Sequence, residues 1–270
     1  MNPKKAASLS PLEQRAYFAL VRAGRKVASP QVVGALLGLT AIRSAKVLAA
    51  LKAKGAALRL GRGRYALVSP EAIQGTGAFG QDLLAVAAEF LELEGQDYMA
   101  AYLTAAYLHG ILEQVPQSVQ IAVTNQRREL RLSESQRVRF VAVLSRNFFG
   151  AQELRYGERL LKVTDLEKTV LDCLDRLDLA GGLTQAVDIL RAASDKLDGK
   201  KLLDYAKRLG NRSLQERLGY ILERLRLFPN VADALSALKH PVPCLLDPQG
   251  LREGRVNDRW HLWVNAEVSR

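Results

Sequence analysis

Apolar residues recur at helical spacing from the beginning of the chain. Leu12, Ala16, Ala19, Leu20 and Ala23 lie one, three or four apart and predict a first helix over 11–24, stopped by Gly24. Ser29 before Pro30 has the chemistry of a helix start, a side-chain acceptor followed by a residue with pre-set φ. A second helix therefore runs through Val32, Val33, Leu36 and Leu37 to Gly38. Thr40 caps a third over 41–54, closed by Gly55. Helix, short turn, helix is the helix-turn-helix arrangement. Wound at 3.6 residues per turn, the third helix places Ala41, Ala45, Leu48 and Leu51 or Lys52 on a packing side, and Arg43, Lys46, Val47 and Ala50 on the other. Long donors with small residues behind them suit a helix that lies in a DNA major groove.

The next apolar pattern alternates. Across 58–67, Leu58, Leu60, Tyr65 and Leu67 are expected to point inward in a two-stranded hairpin, with Arg59, Arg64 and the turn residue Arg62 outward. Gly61 and Gly63 bracket Arg62, and a tight reversal needs residues tolerant of positive φ. A hairpin directly after such a helix is a wing. The alternative, a phosphate-cradling loop, lacks the full glycine-rich pattern and a following helix. Residues 69–80 are rich in glycine and turn formers, so the chain is read as a winged helix-turn-helix domain (1–70), a linker (71–81) and a second domain (82–270). The second domain is α+β. Helices are expected at 82–94 and 101–110, strands at 118–124, 137–144, 152–156 and 159–163, four or five helices over 165–238, and a last strand over 260–264. The sheet should be small and mainly antiparallel, against a helical layer.

Charge sharpens the division. Residues 1–70 hold thirteen Lys and Arg against the single acid Glu13, whereas the remaining 200 hold 26 basic and 27 acidic side chains. The whole excess of +11 thus sits in the first quarter, as in a module that meets a polyanion. No apolar run approaches the roughly 20 residues that span a bilayer, and no apolar stretch follows the N-terminal lysines, so the expected location is the cytoplasm.

Candidate chemistry in the second domain is sparse. His109, His240 and His261 have no metal-ligand spacing, and Cys173 and Cys244 sit in leucine-flanked segments as small hydrophobes. His109 is read as a packed or capping residue at a helix end. Asp165, Glu167 and Lys168 resemble a metal-nuclease set only loosely, because such a site needs acid and lysine two positions apart on one strand. A capping box from Thr164 to Glu167 accounts for them better. Asp172, Asp175 and Asp178 have the spacing of a helical stripe, read as solvated charge rather than a cation site. Tyr98, Tyr102 and Tyr107 are read as core, and Arg127 and Arg128 as a loop pair with reach for a phosphate. No cofactor and no metal are called for, and no enzyme activity is expected.

Several stretches together resemble a known family: residues 102–116 (Tyr-Leu-Thr-Ala-Ala-Tyr-Leu-His-Gly onward), Ile121-Ala122-Val123-Thr124, Val138-Arg139-Phe140-Val141, residues 162–183 around Thr164-Asp165-Leu166-Glu167-Lys168, and residues 256–265. They are similar to the C-terminal domain of AbiEi-type antitoxins of bacterial type IV toxin–antitoxin (abortive infection) systems. The resemblance implies an N-terminal winged helix that binds inverted repeats in its own promoter and represses the operon. It also implies a C-terminal domain that counters a nucleotidyltransferase-like toxin without a stable complex. Carried onto this chain, the groove residues are Arg43, Ser44 and Lys46 and the wing residues Arg59, Arg62 and Arg64, with Arg25 and Lys26 adding backbone contacts. Two other classes remain open on the residues alone: a ligand-responsive transcription factor and a metal-dependent nuclease.

Overall fold

The computed structural model describes residues 8–69, 82–133, 136–238 and 242–268. The expected linker at 71–81 and His240 lie outside the described residues. The chain divides into two compact units, residues 1–97 with 128–139, and residues 98–127 with 140–270.

In the first unit, α1 (Pro11–Arg22) starts on a reciprocal cap. The Glu13 N–H donates to Ser10 Oγ, and Glu13 Oε2 accepts from the Ser10 N–H at 2.7 Å. The same carboxylate pairs with Lys54 at 2.6 Å, fastening the start of α1 to the end of the third helix. After β1 (Val27–Ala28) come α2 (Pro30–Leu37), capped by Ser29, and α3 (Ala41–Ala53), capped by Thr40, their axes 110° apart. β2 (Ala57–Gly61) and β3 (Arg64–Leu67) form an antiparallel hairpin, and β1 adds on the β3 side. Ala16, Tyr17, Leu20, Val33, Leu48, Leu51 and Leu67 close the core, and the Tyr17 hydroxyl donates to the Val68 carbonyl.

The helix expected to open the second domain, α4 (Leu83–Glu92), belongs to this first unit. Leu84 to Leu91 are all buried, including the carboxylate of Glu89. The unit also takes in β6 (Leu130–Arg131) and the start of β7 (Arg137–Ala142), which pair antiparallel.

The second unit is α+β. Its main sheet holds β4 (Tyr98–Ala100) between β5 (Ser118–Val123), antiparallel, and β9 (Arg159–Thr164), parallel; β8 (Ala151–Tyr156) forms the hairpin edge on β9. Between β4 and β5 lies α5 (Tyr102–Leu108), and five helices follow β9 among the described residues: α6 (Leu166–Asp175), α7 (Leu183–Ala193), α8 (Gly199–Leu209), α9 (Arg212–Leu225) and α10 (Pro229–Ser236). In α6 every residue from Glu167 to Leu174 is buried, which makes it the central helix. The strand expected at 260–264 is one of three: β12 (Leu262–Val264) lies between β10 (Cys244–Leu245) and β11 (Arg255–Asn257). Strands of two or three residues, such as β4 and β10, carry too little alternation to be read from sequence.

Trp260, 2% exposed, seats this small sheet against α9 at Gly219. A Cβ on Gly219 would stand 1.9 Å from Trp260 Cζ3 and 2.2 Å from Cη2, so the ring would have to leave its place. Gly219→Ala is expected to destabilise the protein by about 2–3 kcal/mol, read as a lower urea midpoint with an altered tryptophan emission. An unchanged midpoint would contradict this packing.

Candidate nucleic-acid interface

The exposed face of α3 follows from which residues its core accepts. Ser44, Val47, Leu48 and Leu51 form the buried stripe, while Ala41, Ile42, Arg43, Ala45, Lys46 and Ala49 are exposed. The helix is thus rotated from the expected setting: Val47 packs inward and Ala45 faces out. Arg43 and Lys46 stand on the outer side as expected. Ser44 does not; at 0% exposure it lies under the helix and cannot reach a groove.

The hairpin also differs from simple alternation. Arg59 pairs with Tyr65 and Leu58 with Ala66, and opposed residues share a face. Tyr65 and Leu67 therefore lie on the face of Ala57 and Arg59, turned to the core, and Leu58 and Ala66 lie on the other. Ala66 is nonetheless fully buried, because α4 covers that second face: a Cβ on Gly61 would lie 3.7 Å from the Phe90 ring. A strand buried on both faces has no clean apolar–polar period. The turn is Arg62-Gly63, with the positive φ on Gly63 (67°) and not on Gly61.

The arginines of the hairpin separate into two groups. Arg59 and Arg62 are exposed, Arg62 at the tip. Arg64 is turned inward, donating from one Nη to the Leu93 carbonyl at the end of α4 (3.0 Å) and from the other to Gly63. Arg64 thus braces the hairpin and does not point outward as the alternation predicts. Arg25 and Lys26 are exposed, and both are positioned by Glu89. One Glu89 oxygen accepts the Lys26 backbone N–H at 2.9 Å and the other faces the Arg25 guanidinium at 3.4 Å. Glu89 was missed in the sequence; its signal is a lone carboxylate inside an otherwise apolar helical run.

In the second unit the candidate groups are committed to structure. Asp165, not Thr164, caps α6, accepting the Lys168 N–H at 2.9 Å. Thr164 ends β9, its hydroxyl bonded to that of Thr169. Glu167 accepts the Asp198 N–H and pairs with Lys201, and those interactions outweigh burial to hold its carboxyl below the usual range. The three aspartates form no stripe: Asp172 meets Lys168, Asp175 meets Asn211, and Asp178, past the end of α6, meets Arg176. His109 is the C-cap of α5, its Nε2 2.7 Å from the Thr164 carbonyl. Tyr98 and Tyr102 are buried in the core as expected, whereas Tyr107 is exposed. Cys173 is buried and the Cys244 thiol donates to Glu216. Among the described residues no cluster of His, Cys, Asp or Glu has the geometry to hold a metal ion.

Residues 99–224, from β4 to the last turn of α9, match a family model described as the AbiEi antitoxin C-terminal domain. Over those residues the chain is similar to an AbiEi antitoxin C-terminal domain. That domain supports an antitoxin role in a toxin–antitoxin system. The chain is also similar to the crystal structure of the RV2827C protein from Mycobacterium tuberculosis, at 17% identity and a TM-score of 0.70, over 96% of this chain and 94% of that one; at this identity the likeness is one of fold. No curated protein matches the chain. Among the described residues no single helix is long and apolar enough to cross a membrane.

Proposed function

We propose that this AbiEi-domain protein is a sequence-specific DNA-binding autorepressor as well as an antitoxin, and that it opposes a nucleotidyltransferase-like toxin in the cytoplasm without a stable complex. In this reading the first unit is a winged helix-turn-helix: α2 and α3 are the helical pair, α3 enters the major groove and β2–β3 is the wing. The observation that carries it is the outer face of α3. Arg43 and Lys46 stand exposed among Ala41, Ala45 and Ala49, which let the backbone approach base edges, and Arg59 and Arg62 extend from the adjoining hairpin. The thirteen-to-one excess of basic over acidic residues in 1–70 supports a polyanionic partner. Phosphates of promoter inverted repeats are that partner, and the protein acts by binding, with no metal, cofactor or catalytic step.

Binding to DNA from its own upstream region is expected to weaken steeply with salt, with a slope equivalent to about five to eight phosphates per protomer. Fluorescence anisotropy across a potassium chloride series measures it. Absent or salt-insensitive binding would overturn the DNA reading and leave the antitoxin domain untouched.

A further inference from the structure

Ile42 is 73% exposed at the second position of α3, and neither packing nor helix propensity accounts for it. A β-branched residue in a first turn adds nothing to the helix, and the buried stripe of α3 begins only at Ser44. Its neighbours on the same face, at i+3, i+4 and i+7, are Ala45, Lys46 and Ala49, all exposed. Arg43 follows it directly. An apolar side chain set among cations does not suit a water-facing surface, nor a second apolar surface, which would strand those charges. It suits a polyanion that also presents methyl groups.

We propose that Ile42 reads the 5-methyl group of a thymine in the major groove. The inference rests on the DNA reading above and adds to it a base and a residue. Helical side chains lean toward the N-terminus, so Ile42 projects over the first turn of α3, the end that meets base edges in this class of motif. Its stiff χ1 holds the branched methyls in one orientation, and thymine alone of the four bases offers an apolar group in that groove. Arg43 and Lys46 bind on either side of the contact, and the alanines keep the approach close. The exposed Leu36 and the α1 residues Phe18 and Val21 lie on other helices and are not part of it.

The test uses the full-length protein and its selected operator, with each thymine replaced singly by deoxyuridine, which removes only the methyl. Wild type should bind about fourfold more weakly when one position, or its symmetry mate, is replaced, as expected for one methyl returned to water. Ile42→Ala should bind thymine and uracil at that position equally, and Ile42→Val should keep part of the discrimination. Circular dichroism establishes that the variants fold. If the operator is bound specifically while every deoxyuridine is silent, or if discrimination survives in Ile42→Ala, the thymine contact is overturned and the DNA reading stands. If Ile42→Ala instead changes the oligomeric state in the absence of DNA, the residue serves a second copy of the chain and the contact is likewise overturned. Loss of all salt-sensitive DNA binding in wild type removes the reading beneath it.

Discussion

Asp172→Ala is expected to destabilise the protein by about 3–5 kcal/mol, because it leaves a buried ammonium without its counterion. Lys168 and Asp172 are one turn apart on α6, their side chains 3% and 9% exposed and in direct contact. With Asp172 gone, Lys168 keeps a cation–π contact with the face of Phe149, 5.3 Å from Nζ, which is a weaker interaction than an ion pair. The pair itself gives little net stability. Burial pushes the Asp172 carboxyl from its ordinary 3.8 up to about 6 despite the pull of Lys168, with Asp175 and Asp165 adding to the rise. Desolvation therefore outweighs the attraction. Replacing both partners, Lys168→Met with Asp172→Leu, should recover most of the loss, and urea denaturation of the single and double variants measures it. The sign with pH follows. The native state holds its proton after the unfolded chain has released it, so this group's stabilising contribution is full below about pH 4 and is lost as pH rises through about 6. The double variant lacks that fall, and its stability relative to wild type should grow across the same range. A pH-independent difference would show that the Asp172 carboxyl titrates alike in the folded and unfolded chain, and would overturn the raised value.

The features legible in the sequence were the local ones. Ser29, Thr40 and the glycines that end the first helices act within three residues of themselves, so type and spacing were enough. The orientation of α3 was not legible, because Ala41, Ala45 and Ala49 count as apolar on paper. Two stripes were then open, one through Ala41, Ala45, Leu48 and Leu51 or Lys52, the other through Ser44, Val47, Leu48 and Leu51. The second wins because Val47 buries more surface than Ala41 or Ala45, and Ser44 is carried under with it. The inward turn of Arg64 and the hold of Glu89 on Arg25 and Lys26 involve partners 29 and 63 or 64 positions away, beyond any local pattern. The cap of α6 was misassigned by one residue for a related reason. Thr164 and Asp165 are both good caps, and β9 claims Thr164 for its last pair, with Ala151.

That revised orientation makes the interface more demanding. In the proposed DNA-binding reading, with Ser44 buried and Arg64 turned inward, the donors that α3 offers a groove reduce to Arg43 and Lys46, and those of the wing to Arg59 and Arg62. The double variant Arg43→Ala with Lys46→Ala is accordingly expected to lose about 2–4 kcal/mol of operator binding, roughly 30- to 1000-fold in Kd. The two contributions differ in kind. A guanidinium reading a base edge costs about 1–3 kcal/mol and relaxes specificity, so Arg43→Ala alone should narrow the gap between operator and random DNA. An ammonium on a phosphate acts on all sequences alike, so Lys46→Ala alone should weaken both and lower the salt slope by about one. The residues are three apart on one helix and share a ligand, so their effects need not add, and all three variants are required to close the cycle. Stability should change by less than about 0.5 kcal/mol, since neither side chain is in the buried stripe. Anisotropy titrations with operator and scrambled DNA, at matched salt, measure both affinity and specificity. Operator binding undiminished in the double variant would place the reading surface on another element of the chain.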